Sequence, residues 1–352
     1  MYNFNQLQRM KFSYIALAIT CTGIGLFIGS QFLPKNSQNN IIEPLSNKID
    51  SNLINPIHGF DLEIEKPNPK IGLLEQDLKT LLKEEEGHTE HSPTGIFFRE
   101  LNYGGTSFGI HSDLTFSPAS LFKVPLMMAY FKQAEKNPSF LSTKITYTEQ
   151  MNLNQHEFYT AREYVELGNE YTIEQLIEYM IIHSDNEATH LLKQHLDPEI
   201  SNQTYFDLGI NVPENDPEAE FMTVRAYTSF FRILYNSTYL NEELSAKALE
   251  ILTKSNFKLA LRKPIPDNIR VAHKFGERKS LQSNLKQLHD CGIIYFPNHP
   301  YSLCVMTKGN DFDTQAETIS KISSKVFERI KTIYASNDPQ SSDTSLRDLA
   351  FE

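Results

Sequence analysis

Between residues 71 and 335 the apolar periodicity changes four times, and this order restricts the possible folds more than any other feature. Ile71 to Glu86 carries Leu73, Leu74, Leu78, Leu81 and Leu82 at helical spacing. Gly95 to Leu101 and Thr106 to Ile110 read as two strands around Tyr103-Gly104-Gly105, a hairpin signal. A helix is expected from about Ser120 to Glu135. A longer helical block runs from Thr172 to Gln194, interrupted around His183-Ser184. Thr223 and Asn241 are N-cap residue types ahead of two more helices. Val271 to Phe275, Gly292 to Phe296 and Leu303 to Thr307 return to strand patterns. The last two are joined by Pro297-Asn298-His299-Pro300, and Thr314 to Tyr334 closes as a helix. Strands at both ends with helices between predict an α/β (α+β) domain. The first and last helices would cover one antiparallel sheet, and an all-helical lobe would fill the middle.

Composition removes several alternatives. The 352 residues hold 33 Lys+Arg against 44 Asp+Glu, a formal net charge of −11, which argues against nucleic acid as a partner. Three Cys exclude a Cys-rich secreted scaffold and contain no CxxC pair. With 23 Phe, 16 Tyr and only 15 Gly, the chain is neither collagen-like nor wholly disordered.

Three short motifs fall on three of these elements. Ser120-Leu121-Phe122-Lys123 is an S-x-x-K, whose i and i+3 positions share a helix face. A desolvated Lys amine there can take the proton of the Ser hydroxyl. Alone this is weak, since composition yields about one or two such matches per chain. Ser255…Lys258 and Ser283…Lys286 also fit it. Ser184-Asp185-Asn186 is expected by chance in roughly one chain in twenty, and its residue types equally suit a helix N-cap. Lys274-Phe275-Gly276 ends a strand and equally suits an edge Lys beside a bulge Gly.

Order and spacing add what the tripeptides lack. Ser120, Ser184 and Lys274 are separated by 64 and 90 residues. They fall on a helix start, an interhelical break and a strand. The set resembles the S-x-x-K, S-D-N and K-T-G motifs of class A β-lactamases and penicillin-binding proteins. The flanks Phe116 to Pro125, Tyr171 to Thr189, Val271 to Gly276 and Asp290 to Tyr295 resemble the same superfamily, so the likeness spans about 71–335. It implies a β-lactamase/transpeptidase-like serine hydrolase domain acting on a β-lactam or a peptidoglycan peptide, with no cofactor and no metal. By this resemblance Ser120 is the nucleophile and Lys123 its base. Ser184 relays a proton to the leaving nitrogen, and Asn186 bonds Lys123 or the substrate. Lys274 supplies positive potential for a substrate carboxylate. The backbone N–H groups of Ser120 and Glu277 form the oxyanion hole, and Gly276 and Arg278 border the substrate.

Two departures bear on activity. Phe275 stands where the family carries Thr or Ser, and Phe donates no hydrogen bond; nearby Arg278 is the candidate replacement. The E-x-x-L-N that supplies the deacylating Glu is absent. The connection from Leu208-Gly209-Ile210 to Thr223 is short and holds Glu214, Asp216, Glu218 and Glu220, none followed by Leu-Asn. Slow or absent β-lactam turnover is the expectation. His183, His190, His273 and His289 lack a metal-ligand spacing. Cys291 and Cys304 sit symmetrically about the Pro297–Pro300 turn, as a disulfide or as two buried thiols.

Phe12 to Leu33 is 22 residues without a charged side chain. At ~1.5 Å per residue this spans the ~30 Å hydrocarbon core. Arg9 and Lys11 precede it, which orients residues 1–11 to the cytoplasm and exports the rest. The expectation is a single-pass cell-membrane protein anchored by 12–33; a cleaved signal peptide is the rival. Residues 34–70 read as a linker and 336–352 as a disordered tail. Two other functions stay open: a non-catalytic cell-wall or partner-binding module on the same fold, and a serine-dependent, glutaminase-like amidase.

Overall fold

The computed structural model describes residues 51–56, 68–86 and 93–334, apart from 103, 156, 161–162, 214–215 and 217–218. The expected anchor (12–33), most of the linker and the tail (336–352) lie outside the described residues. Among the described residues no helix is long and apolar enough to cross a membrane.

Helix α1 (Pro69–Glu86) buries Ile71, Leu74, Leu78 and Leu82, spaced three or four apart, whereas Leu73 faces solvent. Strands β1 (Thr94–Glu100) and β2 (Ser107–Ile110) follow as an antiparallel hairpin. A short β3 (Thr115–Phe116) leads into a 3-10 turn, Ala119–Phe122, and then α2 (Lys123–Lys136). Strands β4 (Lys144–Thr146) and β5 (Glu170–Thr172) pair across a long excursion. Helix α3 (Ile173–Ile182) starts in a capping box made by Thr172 and Gln175. Helix α4 (Asn186–His195) is capped by Asp185, and α5 (Pro198–Asp207) by Asp197. Strand β6 (Met222–Thr223) pairs with β3. Thr223 and Asn241 do cap α6 (Val224–Tyr235) and α7 (Glu242–Thr253). Strands β7 (Val271–Lys279), β8 (Lys286–Ile294) and β9 (Tyr301–Gly309) precede α8 (Phe312–Tyr334).

The main sheet runs β2-β1-β9-β8-β7, antiparallel throughout. Side-chain alternation divides its two faces. Ile96, Phe98, Leu303 and Val305 join α1 and α8 in one apolar cluster. Phe97, Cys304, Met306 and Ala272 join the helical lobe in the other. This is the expected layering of end helices on one face and the lobe on the opposite face.

Three details go beyond the sequence reading. Residues 51–56, within the expected linker, pack on the domain: Leu53 is buried, and the Asn55 N–H donates to the Tyr235 carbonyl at 2.7 Å. Helix α5 fully buries only Thr204, with Ile200 and Tyr205 partly buried against the lobe, a weak periodic signal; its Asp197-Pro198 start was the clearer cue. Cys291 and Cys304 are register partners on β8 and β9, and their sulfurs form a disulfide.

Candidate active site

Each expected site residue occupies an element terminus or a sheet edge, where a side chain can be aimed without breaking a helix or ladder. Ser120 lies within the 3-10 turn rather than on a helix, and Lys123 opens α2. Ala119 just before it has φ +47°, a left-handed backbone that favours glycine. Several bonds hold this turn: the Tyr227 hydroxyl donates to the Leu121 carbonyl (3.0 Å), and the Ser117 N–H donates to Gln287 Oε1 (3.0 Å). His289 is fully buried, and burial pushes its pKa down to about 4, so the neutral ring donates Nε2–H to the Ser117 carbonyl (3.0 Å). Gly276 is required by close approach, since a Cβ would meet the Leu121 nitrogen at 3.0 Å and the Pro118 carbonyl at 3.1 Å. Strand β7 thereby lies directly against the turn that carries Ser120.

Ser184 occupies the break between α3 and α4, again with φ positive at 58°. Lys123 Nζ donates to the Ser184 carbonyl (2.6 Å), Ser184 Oγ (3.2 Å) and Asn186 Oδ1 (2.7 Å). Lys274 Nζ reaches the same Ser184 Oγ at 3.0 Å and the Phe275 carbonyl at 3.0 Å. Two buried lysine amines therefore meet at one hydroxyl. Burial pushes Lys123 down to about 8, against the opposing pull of Glu157 and Asp185. Lys274 is driven well below the ordinary lysine range by burial and then by Lys123. Both shifts favour the neutral amine, the form that accepts a proton.

A cavity of about 260 Å³ opens beside this cluster, lined in part by Ser120, Lys123, Asn186, Lys193, Glu277 and Arg278. Lys274 is fully buried and does not line it; the basic side chains on the cavity wall are Lys123, Lys193 and Arg278. Phe275 does not enter the cavity. Its ring turns to the α1/α8 side and stacks on Phe257, centroids 4.0 Å apart. The departure from the family motif is thus a packed aromatic residue.

Sequence reasoning missed Glu157. It lies in the excursion between β4 and β5, which has no periodicity and no motif. Its Oε1 accepts from Asn186 Nδ2 at 2.5 Å, and the carboxyl lines the Ser120 cavity. Beside it stands Glu277, whose pKa is pushed up to about 8 by burial and by a hydrogen bond with the Glu157 carboxyl. Glu277 Oε1 also accepts from the Phe158 and Tyr159 N–H groups, at 2.7 and 3.2 Å. The excursion is anchored at the S-D-N turn. Asp185 is fully buried and accepts from Asn154 Nδ2 (2.8 Å) and the Val165 N–H (2.9 Å). Asn154 Oδ1 accepts from the Asn186 N–H at 2.8 Å. One signal was available: Ser-Asp-Asn leaves the Asp free to cap both a helix and a loop.

The acidic connection after α5 behaves differently. Glu220 Oε2 pairs with Lys308 at 2.5 Å, and its Oε1 accepts from Gln287 Nε2 at 2.8 Å. Glu214 and Glu218 lie outside the described residues, and Asp216 borders a neighbouring recess. His273 is bound to buried Asp290 at 2.8 Å, and His183 to Asn256 at 2.9 Å.

Solved structures place this architecture in one class. The chain superimposes on the structure of PBP-A with TM-score 0.62, at 23% identity, over 77% of this chain and 99% of that one. A β-lactamase from Chitinophaga pinensis gives TM-score 0.60, at 19% identity, over 72% and 99% of the two chains. One from Sphaerobacter thermophilus gives 0.61, at 22% identity, over 74% and 98%. The fold is that of β-lactamases and penicillin-binding proteins. The sequence model of the beta-lactamase enzyme family matches residues 73–330, and the chain belongs to that family. No curated protein matches it.

Proposed function

We propose that the protein is a serine acyl-enzyme former acting on β-lactams or peptidoglycan-type peptides, with slow β-lactam turnover. The observation that carries this is the buried Lys123 amine. It is lowered to about 8 and held on Ser184 and Asn186 beside the cavity that contains Ser120. Neutral Lys123 takes the Ser120 proton as Oγ attacks the carbonyl carbon. The N–H groups of Ser120 and Glu277 receive the developing oxyanion. The Ser184 hydroxyl then passes its proton to the leaving nitrogen and is reprotonated from a lysine that shares it. Arg278 and Lys193 on the cavity wall suit an anionic substrate group. Gly276 admits the strand that carries Glu277. A PBP-A variant was solved as an acyl-enzyme with penicillin G, which supports the first half of the cycle by analogy.

Slow deacylation follows from the absent E-x-x-L-N, and Glu220 is engaged by Lys308 and Gln287. The uncharged run 12–33 supports an exported domain held at the cell membrane, outside which peptidoglycan lies. The test is intact mass after incubating the full-length chain with a fluorescent penicillin. A persistent one-to-one adduct, lost in Ser120→Ala, is expected. Rapid hydrolysis of nitrocefin that disappears in Ser120→Ala would overturn slow turnover. Absence of any adduct at millimolar penicillin would overturn the acylation reading.

A further inference from the structure

We propose that Glu157 is a positioning residue for Lys123: its carboxylate fixes the Asn186 amide with Oδ1 toward the lysine amine, and its negative charge governs when that amine gives up its proton. This rests on the reading of Lys123 as the base for Ser120.

The geometry forms a continuous line. Glu157 Oε1 accepts from Asn186 Nδ2 at 2.5 Å, and Asn186 Oδ1 accepts from Lys123 Nζ at 2.7 Å. An Asn amide has one donor end and one acceptor end. A carboxylate at the donor end leaves only the acceptor for Lys123. The opposite orientation would set an NH2 group against the amine and a carbonyl against the carboxylate. Glu157 therefore stands to Asn186 and Lys123 as an orienting acid stands to its base.

The charge acts on the same amine. Glu157 is the strongest of the charges that raise Lys123, opposing its burial. Other groups also face Lys123: Asp185 at the α4 cap, Lys193 on α4, and Glu277 and Lys274 on β7. Glu277 is held up by its hydrogen bond with Glu157, so losing the Glu157 carboxyl lets Glu277 ionise more readily. The double variant removes this compensation.

The experiment follows penicillin acylation of the full-length chain by intact mass from pH 5 to pH 10. It also follows the 13Cε resonance of Lys123, assigned by its loss in Lys123→Arg. Glu157→Gln retains an acceptor oxygen but no charge. It should lower the Lys123 midpoint by about one pH unit, and Glu157→Gln with Glu277→Gln should lower it further. Glu157→Ala removes the acceptor as well and should cut the high-pH acylation plateau by about tenfold, while Glu157→Asp keeps the wild-type midpoint. A Lys123 midpoint unchanged in both Gln variants overturns the inference. The resonance reads the lysine whether or not the wild type forms an adduct, so failure of the acylation reading is seen separately.

Discussion

Two loops flank Ser120, and they are held by different parts of the domain. The excursion between β4 and β5 is tied to the S-D-N turn by Asp185 and Asn154, and it brings a carboxyl to the cavity. The connection between α5 and β6 is tied to the sheet through Glu220, Lys308 and Gln287. Both are acidic in sequence. Charge content does not say which loop serves the site; the anchor does. A carboxylate pinned next to the turn that carries Ser184 acts on the same buried amines as that turn, whereas one paired to a sheet lysine mainly holds its loop in place.

The largest effect is expected at Asp185. Asp185→Ala should cost about 3–5 kcal/mol, because it strips a fully buried carboxylate from several N–H donors. Urea unfolding measures this, and a loss under 1 kcal/mol would show that the excursion is held by other contacts. Next comes the pH dependence of Lys123. Its folded pKa near 8 lies below the unfolded value, so the unfolded chain binds more protons between about pH 8 and 10.5. Wild-type stability should therefore rise across that window relative to Lys123→Met, by up to about 3 kcal/mol. Acylation should rise with pH through about 8 as the amine becomes neutral. Flat difference curves in thermal melts at pH 7.5 and 9.5 would contradict this. The smallest effect belongs to Glu220→Ala, about 1 kcal/mol from a partly exposed ion pair and one lost amide partner. Its acylation–pH profile should coincide with wild type, in contrast to Glu157→Gln.

Much of the fold could be read before the structure. The capping residues Thr223 and Asn241, the break at Ser184 and the end helices are local signals: a cap bonds its own next turn, and a period records one buried face. Strand ends were less legible. Strand β7 continues to Lys279 and β8 begins at Lys286, beyond the apolar segments, because ladder bonds do not require apolar side chains. At the site, Ser120, Lys123, Ser184, Asn186 and Lys274 are singled out by the resemblance of their motifs, order and spacing to a known family, and the structure places the four besides Ser120 in one hydrogen-bonded cluster next to its cavity. Glu157 belongs to no such motif, and the sequence shows at Phe275 a missing hydroxyl but not the ring's packing in the cluster with Phe257.

The sequence by itself determined the order of elements, the caps, and which residue types stand at the three motif positions, since each depends on neighbours within a turn or two. The tertiary structure alone decided that Glu157 meets Asn186 and Glu277, that Phe275 turns to Phe257, and that Cys291 bonds Cys304. These contacts join segments distant along the chain. Loop path, strand register and sheet face set them, and no local pattern encodes those.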